Sequence, residues 1–359
     1  MATEQQGSIE INAPALPKGG GAIQSIGKGW SGVGTTGAAS LELPLPISKA
    51  PNRDLVPALG LRYSSDVGNS PFGIGWRLTT NAITRRTVKG VPKYDGNDQV
   101  VGPGGDVWMP EKNDKNQLIS RSVSEYNGVQ LGTHHVVRYW PRVEGAFDLI
   151  EHWTKEDDDD NPAGFWLIHG ADGSLHCYGK TETSRRADPT EKSHVGVWLI
   201  DESLNLRGEH VVYLYQAEVE APAAPQFRDF RSQRYLRRVL YGNAQANANL
   251  YAWKADGWKD ATWHFHLLFD YGERSADLTQ VPVYDLPGIE RGEWGAPRKD
   301  PFWNYAYGFE LGSRRLCRQV LMFHQFTEEL GNDPVLVQRL LLEHRPSALG
   351  YNHLTAAHI

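Results

Sequence analysis

The sequence predicts an all-β protein, a large antiparallel β-sheet or sandwich-like domain with a flexible Gly-rich N-terminus. Three observations carry that expectation. Apolar residues alternate with polar ones at the period of two that a half-buried strand requires. The 359 residues are rich in side chains that suit strands and turns, with 12 Trp, 15 Tyr and 37 Gly. Clusters of Gly, Asn, Asp, Ser and Pro separate the apolar runs.

Residues 1–39 are dominated by Gly, Ala, Ser and Thr, with Gly19, Gly20 and Gly21 in a row. They have little to bury and read as a flexible lead-in, of which mild proteolysis is expected to remove residues 1 to about 35. The ordered domain is expected over 40–359, with sub-lobes at 40–154 and 165–359. Its first strand is 40–47, where Leu41, Leu43, Leu45 and Ile47 alternate with Glu42, Pro44 and Pro46; the prolines favour a sheet edge. A second alternation runs from Leu55 to Tyr63 and ends in a turn at 67–71. Phe72, Ile74 and Trp76 then fall at period two with Gly73 and Gly75 between them, which reads as a strand whose bare face admits another backbone.

Further strands are expected at 82–88, 136–140, 147–153, 165–169, 175–178, 195–201 and 209–215. The clearest hairpin is FWLIHGADGSLHCYG, with Ala171, Asp172 and Gly173 at its turn. The same style continues through RYLRRVLYG, HFHLLFDYG and GFELGSRRLCRQVLMFHQF, and 336–343 reads as a final strand. Loops are expected at 155–164, at 217–226 and across the proline-bearing stretch 277–300. No fixed period marks a propeller or solenoid.

Composition narrows the function. A net charge of −6 gives no electrostatic footprint for nucleic acid. No run of about 18 apolar residues would form a transmembrane segment, and the start lacks the pattern of a secretory signal. Cys177 and Cys317 are too few for a disulfide framework or a four-cysteine zinc site, and read as small buried residues.

The candidate chemical groups are weak one by one. The four aspartates at 157–160 lack the alternating ligands, central Gly and distal Glu of a calcium loop, and read as a solvated loop. His264 and His266 would share one strand face but need a third ligand, while His134 and His135 would face opposite sides. Glu218-Val219-Glu220 matches the Glu-x-Glu pair of ADP-ribosylating toxins, yet no Ser-Thr-Ser precedes it. It lies in an Ala/Pro loop expected to hold carboxylates loosely, so replacing both with Gln should leave the fold intact. No nucleophile elbow, zinc-protease motif or phosphate loop is present, and no catalytic, cofactor or metal site is expected.

Several longer motifs do stand together: LPKGGG at 16–21, LPLPIS at 43–48, PALGLRYSS at 57–65, GNSPFGIGWRL at 68–78 and ITRRTVKGVPKYDGND at 83–98. They continue in DPFWNYAYGFELGSRRLCRQVLMFHQF at 300–326 and VQRLLLEH at 337–344. In content and order they resemble the N-terminal region shared by the SpvB virulence proteins and the B components of Tc insecticidal toxins. The resemblance implies structural roles for Gly19, Gly20, Gly21, Phe72, Gly73, Gly75, Trp76, Arg85, Tyr94, Arg315 and Phe323.

It also implies a non-catalytic domain that packages, secretes or translocates a downstream effector. In this family that effector is an actin-modifying mono-ADP-ribosyltransferase or a Tc toxin fragment. The expected partners are thus the effector domain or other toxin-complex components, and the expected fate is secretion or delivery to a host cell. A glycan- or protein-recognition module is the alternative; a surface row of tryptophans would favour it, whereas an enzyme would show convergent carboxylates or histidines in a cleft.

Overall fold

A computed structural model describes residues 30–31, 37–49, 54–156, 158–223, 227–286, 288 and 291–359. Nearly all of the predicted lead-in, including Gly19, Gly20 and Gly21, lies outside these residues. Among the described residues helix is confined to short pieces such as Thr327–Leu330 and the 3₁₀ turns Tyr251–Trp253 and Gly257–Asp260.

A small antiparallel sheet comes first: β1 (Trp30–Ser31), β2 (Ser40–Pro44), β3 (Gly60–Ser64) and β4 (Trp76–Leu78). The expected strands at 40–47 and 55–63 are thus shortened. The expected strand over 72–76 is corrected: residues 71–75 form turns, and extended structure begins only at Trp76. Gly73 and Gly75 have φ of +98° and +80°, backbone that a strand does not use and side-chain-bearing residues rarely adopt. Close approach is nonetheless their use. A Cβ on Gly75 would drive into the Tyr63 ring, and one on Gly73 would stand 3.0 Å from the Asn352 carbonyl oxygen.

The main sheet has sixteen strands. Its first part comprises β5 (Ala82–Arg85), β6 (Val100–Val101), β7 (Val107–Pro110), β8 (Ser120–Tyr126), β9 (Val129–Pro141) and β10 (Leu149–Lys155). It continues through β11 (Phe165–His169), β12 (Leu175–Tyr178), β13 (Arg185–Ala187) and β14 (Val195–Leu204). The predicted 165–178 hairpin forms, pairing Trp166 with Tyr178 around a turn in which the Gly170 N–H donates to the Ser174 carbonyl at 2.8 Å. β10 pairs with β11 across the acidic 155–164 loop.

β14 closes this part into a barrel. It pairs with β12 through Leu175↔Leu204 and with β5 through Trp198↔Ile83, so β14, β12, β11, β10, β9, β7, β6 and β5 form a ring of eight. An eight-stranded ring is narrow enough for side chains to fill it. Ile83, Trp108, Ile150, Trp166, Ile168, Tyr178 and Trp198 belong to one buried cluster, and each contributes about 1.5–3 kcal/mol by leaving water. The alternate residues Trp153, Phe165, Leu167 and Cys177 pack on the other face against Leu250 and Trp253. All ten residues of β14 are buried, because neighbours flank both its edges and both its faces.

From β14 the sheet also leaves the barrel as a meander of β15 (His210–Ala217), β16 (Arg234–Asn243) and β17 (Trp263–Asp270). After a two-stranded side ribbon of β18 (Phe302–Asn304) and β19 (Leu311–Ser313), the meander resumes with β20 (Gln319–His324), β21 (Val335–Pro346) and β22 (Asn352–His358). The expected strand at 336–343 is therefore present and longer. The single large hydrophobic cluster draws on both barrel and meander, from Ile83 through Tyr235 to Leu342.

Candidate functional site

The GNSPFGIGW segment lies where the N-terminal strands meet the end of the meander, and its turns are clamped by residues far away in sequence. The Ser70 hydroxyl accepts the Phe72 N–H at 2.9 Å and shapes the first turn. The Pro71 carbonyl accepts the Cys317 N–H at 2.7 Å, and the Ile74 N–H donates to the Asn352 carbonyl at 3.0 Å. His344 lies 3.0 Å from the Phe72 carbonyl through Nε2. Phe72 meets the Phe269 ring edge-on, with centroids 6.4 Å apart, while Trp76 tilts against Tyr63 at 5.5 Å.

Arg298 and Asp300 tie this clamp. The guanidinium forks the carboxylate, Nε to Oδ1 and Nη2 to Oδ2, both at 2.9 Å. It also donates to the Ser70 carbonyl at 2.6 Å and the Asn69 side-chain oxygen at 2.8 Å. Asp300 accepts from the Asn352 backbone N–H at 2.8 Å and from the Asn352 amide. Burial pushes the Asp300 carboxyl up, but Arg298 and these hydrogen bonds outweigh it and hold it well below the usual carboxylate range. Burial lowers His344 to about 4.

Arg85 and Tyr94 meet beside the barrel wall. The Arg85 Nε donates to the Val195 carbonyl at 2.9 Å, Nη1 pairs with Asp98 at 3.2 Å, and the guanidinium lies over the Tyr94 and Trp198 rings. Tyr94 donates its hydroxyl to the Tyr307 carbonyl at 2.7 Å and stacks on His194. Phe323 is buried with Leu268 and Leu321 and meets Tyr284 edge-on.

Arg315 overturns the expectation of a loosely held Glu-x-Glu pair. Glu218 is 2% exposed and takes a two-pronged bond from Arg315, at 2.5 and 2.8 Å, plus one from Arg314 at 3.0 Å. Burial raises the Glu218 carboxyl, and the two arginines more than reverse the shift. Glu220 is exposed. The pair is divided between a buried structural ion and a surface one, so only Glu220 fits the expectation that Gln substitution leaves the fold untouched.

The remaining candidates have ordinary partners. His264 and His266 lie within hydrogen-bond reach of the Gln325 and Trp263 carbonyls. His134 is buried while His135 is exposed, as their adjacency predicts. Asp157 lies outside the described residues, and Asp160 pairs with Lys192 at 3.0 Å. Both cysteines are free and buried. No group of three or more His, Cys, Asp or Glu among the described residues is placed to hold a metal ion, and no described helix is long and apolar enough to cross a membrane. Reasoning from sequence missed Arg298, Asn69 and Asn352; the Arg298-x-Asp300 spacing ahead of PFWNY was the one local signal for the clamp.

Comparison with known proteins places this arrangement. The family model described as Salmonella virulence plasmid 65kDa B protein, SpvB, matches residues 33–326. The chain is 42% identical over 339 residues to the mono(ADP-ribosyl)transferase SpvB of Salmonella typhimurium, covering 93% of this chain and 54% of that protein. It therefore spans about half the length of the curated relatives it matches. The solved N-terminal domain of the effector SpvB from Salmonella typhimurium LT2 superposes with a TM-score of 0.79 at 41% identity, covering 88% of this chain and 97% of that one. The crystal structure of TcdB2-TccC3 gives 0.80 at 38% identity, covering 96% of this chain but only 16% of its own. This chain belongs to the SpvB family and corresponds to its N-terminal region.

Proposed function

We propose that this chain is a non-catalytic carrier module of a toxin or virulence factor, which packages, secretes or translocates an effector joined to it or assembled with it. One observation carries the reading. The same fold, at about 40% identity, accounts for half of a named ADP-ribosyltransferase and for 16% of a TcdB2-TccC3 chain. A unit that recurs beside such different remainders fits a role in handling them better than a role in their chemistry. Its partners would be an effector domain or toxin-complex components, and its destination the outside of the cell or a host cell.

The interior supports this reading. Glu218, the nearest match to a transferase carboxylate, is committed to Arg314 and Arg315. The alternative of glycan recognition draws little support from the tryptophans. Among described side chains only Trp140 and Trp303 are exposed, on different sheets, and each lies beneath an arginine, Arg138 or Arg228.

Two measurements test the proposal. The purified chain, incubated with labelled NAD and actin, is expected to transfer no label; transfer abolished by Glu218→Gln in a folded variant would make it an enzyme. A reporter enzyme fused to the chain is expected to reach the medium or host cytosol more efficiently than the reporter alone. Equal delivery would remove the carrier role.

A further inference from the structure

Beside the clamp lies a pocket of about 360 Å³, lined among others by Arg77, Arg186, Arg234, Asn304, Tyr235 and Tyr271. Strand alternation in β13 splits two neighbouring arginines between faces. Arg185 donates to the carbonyls of Gly179, Lys180 and Asp160. Arg186, in register with Val197, takes the other side and reaches the pocket. Its Nε is buried without a hydrogen-bond partner, and so is the Nε of Arg234. Arg234 donates only to backbone, at 2.6 Å to the Arg231 carbonyl and 3.1 Å to the Gln233 carbonyl.

Four buried arginines among the described residues are matched by carboxylates, Arg237 by Glu273, Arg274 by Asp270, Arg298 by Asp300 and Arg315 by Glu218, and Arg185 is satisfied by its three carbonyls. Arg186 and Arg234 have neither a paired carboxylate nor a full set of carbonyl acceptors. Burial lowers both arginines, Arg234 to about 10; beyond burial, Arg186 is influenced by the phenols of Tyr307, Tyr215, Tyr235 and Tyr271, and Arg234 by Glu182, which is not bonded to it. The charges also repel each other. Two unmatched guanidiniums in one recess destabilise the fold unless something else supplies negative charge.

The pocket restricts what that can be. The hydroxyls of Tyr215, Tyr235 and Tyr271 are engaged with the Ile200 carbonyl, the Ser313 hydroxyl and the Leu236 carbonyl, so their rings form walls. Such walls lower the local dielectric and strengthen a charge-assisted bond. The guanidiniums are left as donors, and their planar forks suit the oxygens of a carboxylate or phosphate. A volume near the lower end for ligand pockets suits a small molecule. We propose that this recess binds a small oxyanion, a polycarboxylate or phosphate compound, between Arg186 and Arg234, with Arg77 at its rim.

Calorimetric titration of the whole chain with citrate, pyrophosphate and inorganic phosphate, at ionic strength fixed with sodium chloride, tests this. At least one probe should bind saturably, and Arg186→Gln and Arg234→Gln should each weaken it at least tenfold. Preference for citrate assigns a carboxylate ligand, and preference for pyrophosphate or phosphate a phosphate one. Without anion, Arg186→Gln should unfold at a temperature no lower than the parent chain, since it removes an unmatched charge. In the parent chain, the bound probe should also shield Arg186 from phenylglyoxal, read by peptide mass spectrometry. No saturable binding by any of the three, or binding with Arg186 left as reactive as before, would overturn the proposal even if both variants failed to fold.

Discussion

Arg298 and Arg186 line neighbouring parts of the molecule yet have opposite surroundings. The Arg298 side chain is fully inaccessible and spends its donors on Asp300, Asn69 and the Ser70 carbonyl. Arg186 reaches a recess walled by aromatic rings with its Nε unpartnered. Buried charge can thus be divided between structure and recognition. A satisfied guanidinium holds distant segments together and is missed when removed; an unsatisfied one weakens the fold and makes sense only with a counter-charge from outside.

Acid should separate the two regions most sharply. Burial lowers His344, in the clamp, to about 4, and does the same to His152 and His266. Their folded pKa lies below the unfolded value of about 6.5, so each takes up a proton on unfolding between those limits. Stability is then fully present above about pH 6.5 and falls as pH drops towards 4, by on the order of 3 kcal/mol for each imidazole and about 9 kcal/mol for the three together. Asp300, whose pKa is depressed, keeps its contribution through that window and loses it only at still lower pH. Urea midpoints measured from pH 7.5 to 4 should show this slope, and His344→Gln should reduce it by about a third, leaving the share of His152 and His266. A flat profile would mean that these imidazoles are not held neutral.

Arg298→Met comes next. It leaves Asp300 buried without its partner and should cost about 3–5 kcal/mol, read from urea unfolding. A loss below about 1 kcal/mol would erase the contrast with Arg186. Trp76→Ala removes a nearly buried ring from its contact with Tyr63 and should cost about 3 kcal/mol with poor expression of the variant.

The Glu-x-Glu pair supplies the smallest test within a single tripeptide. Glu218→Gln should cost about 2–3 kcal/mol, because it discharges a carboxylate bonded to two arginines. Glu220→Gln should stay within about 0.5 kcal/mol, as befits an exposed ion pair. Equal effects on thermal denaturation would show that burial does not set their weights.

Much of the strand inventory was legible because alternation is local. The 165–178 hairpin declares itself through two apolar runs and one turn, and 336–343 resolved as strand. The weakly apolar β8, SRSVSEY, went unseen because most of its residues face solvent and leave no hydrophobic pattern. Phe72, Ile74 and Trp76 misled for the opposite reason. Their spacing is that of a strand, yet Gly73 and Gly75 take backbone angles that turn the chain, and angles do not show in hydrophobic periodicity.

An all-β antiparallel chain, its main hairpins, its buried cysteines and, through long motifs in order, its family could all be read from local pattern. That β14 closes a ring of eight strands, that Glu218 is a buried structural ion, and that Arg298 is matched while Arg186 is not emerge from the folded chain alone. Range separates the two sets. Strand rhythm arises between residues two apart, whereas Glu218 meets Arg315 across 97 positions and Arg298 meets Ser70 across 228. Whether a charge is satisfied depends on what the folded chain brings to it, and spacing along the chain carries no record of that.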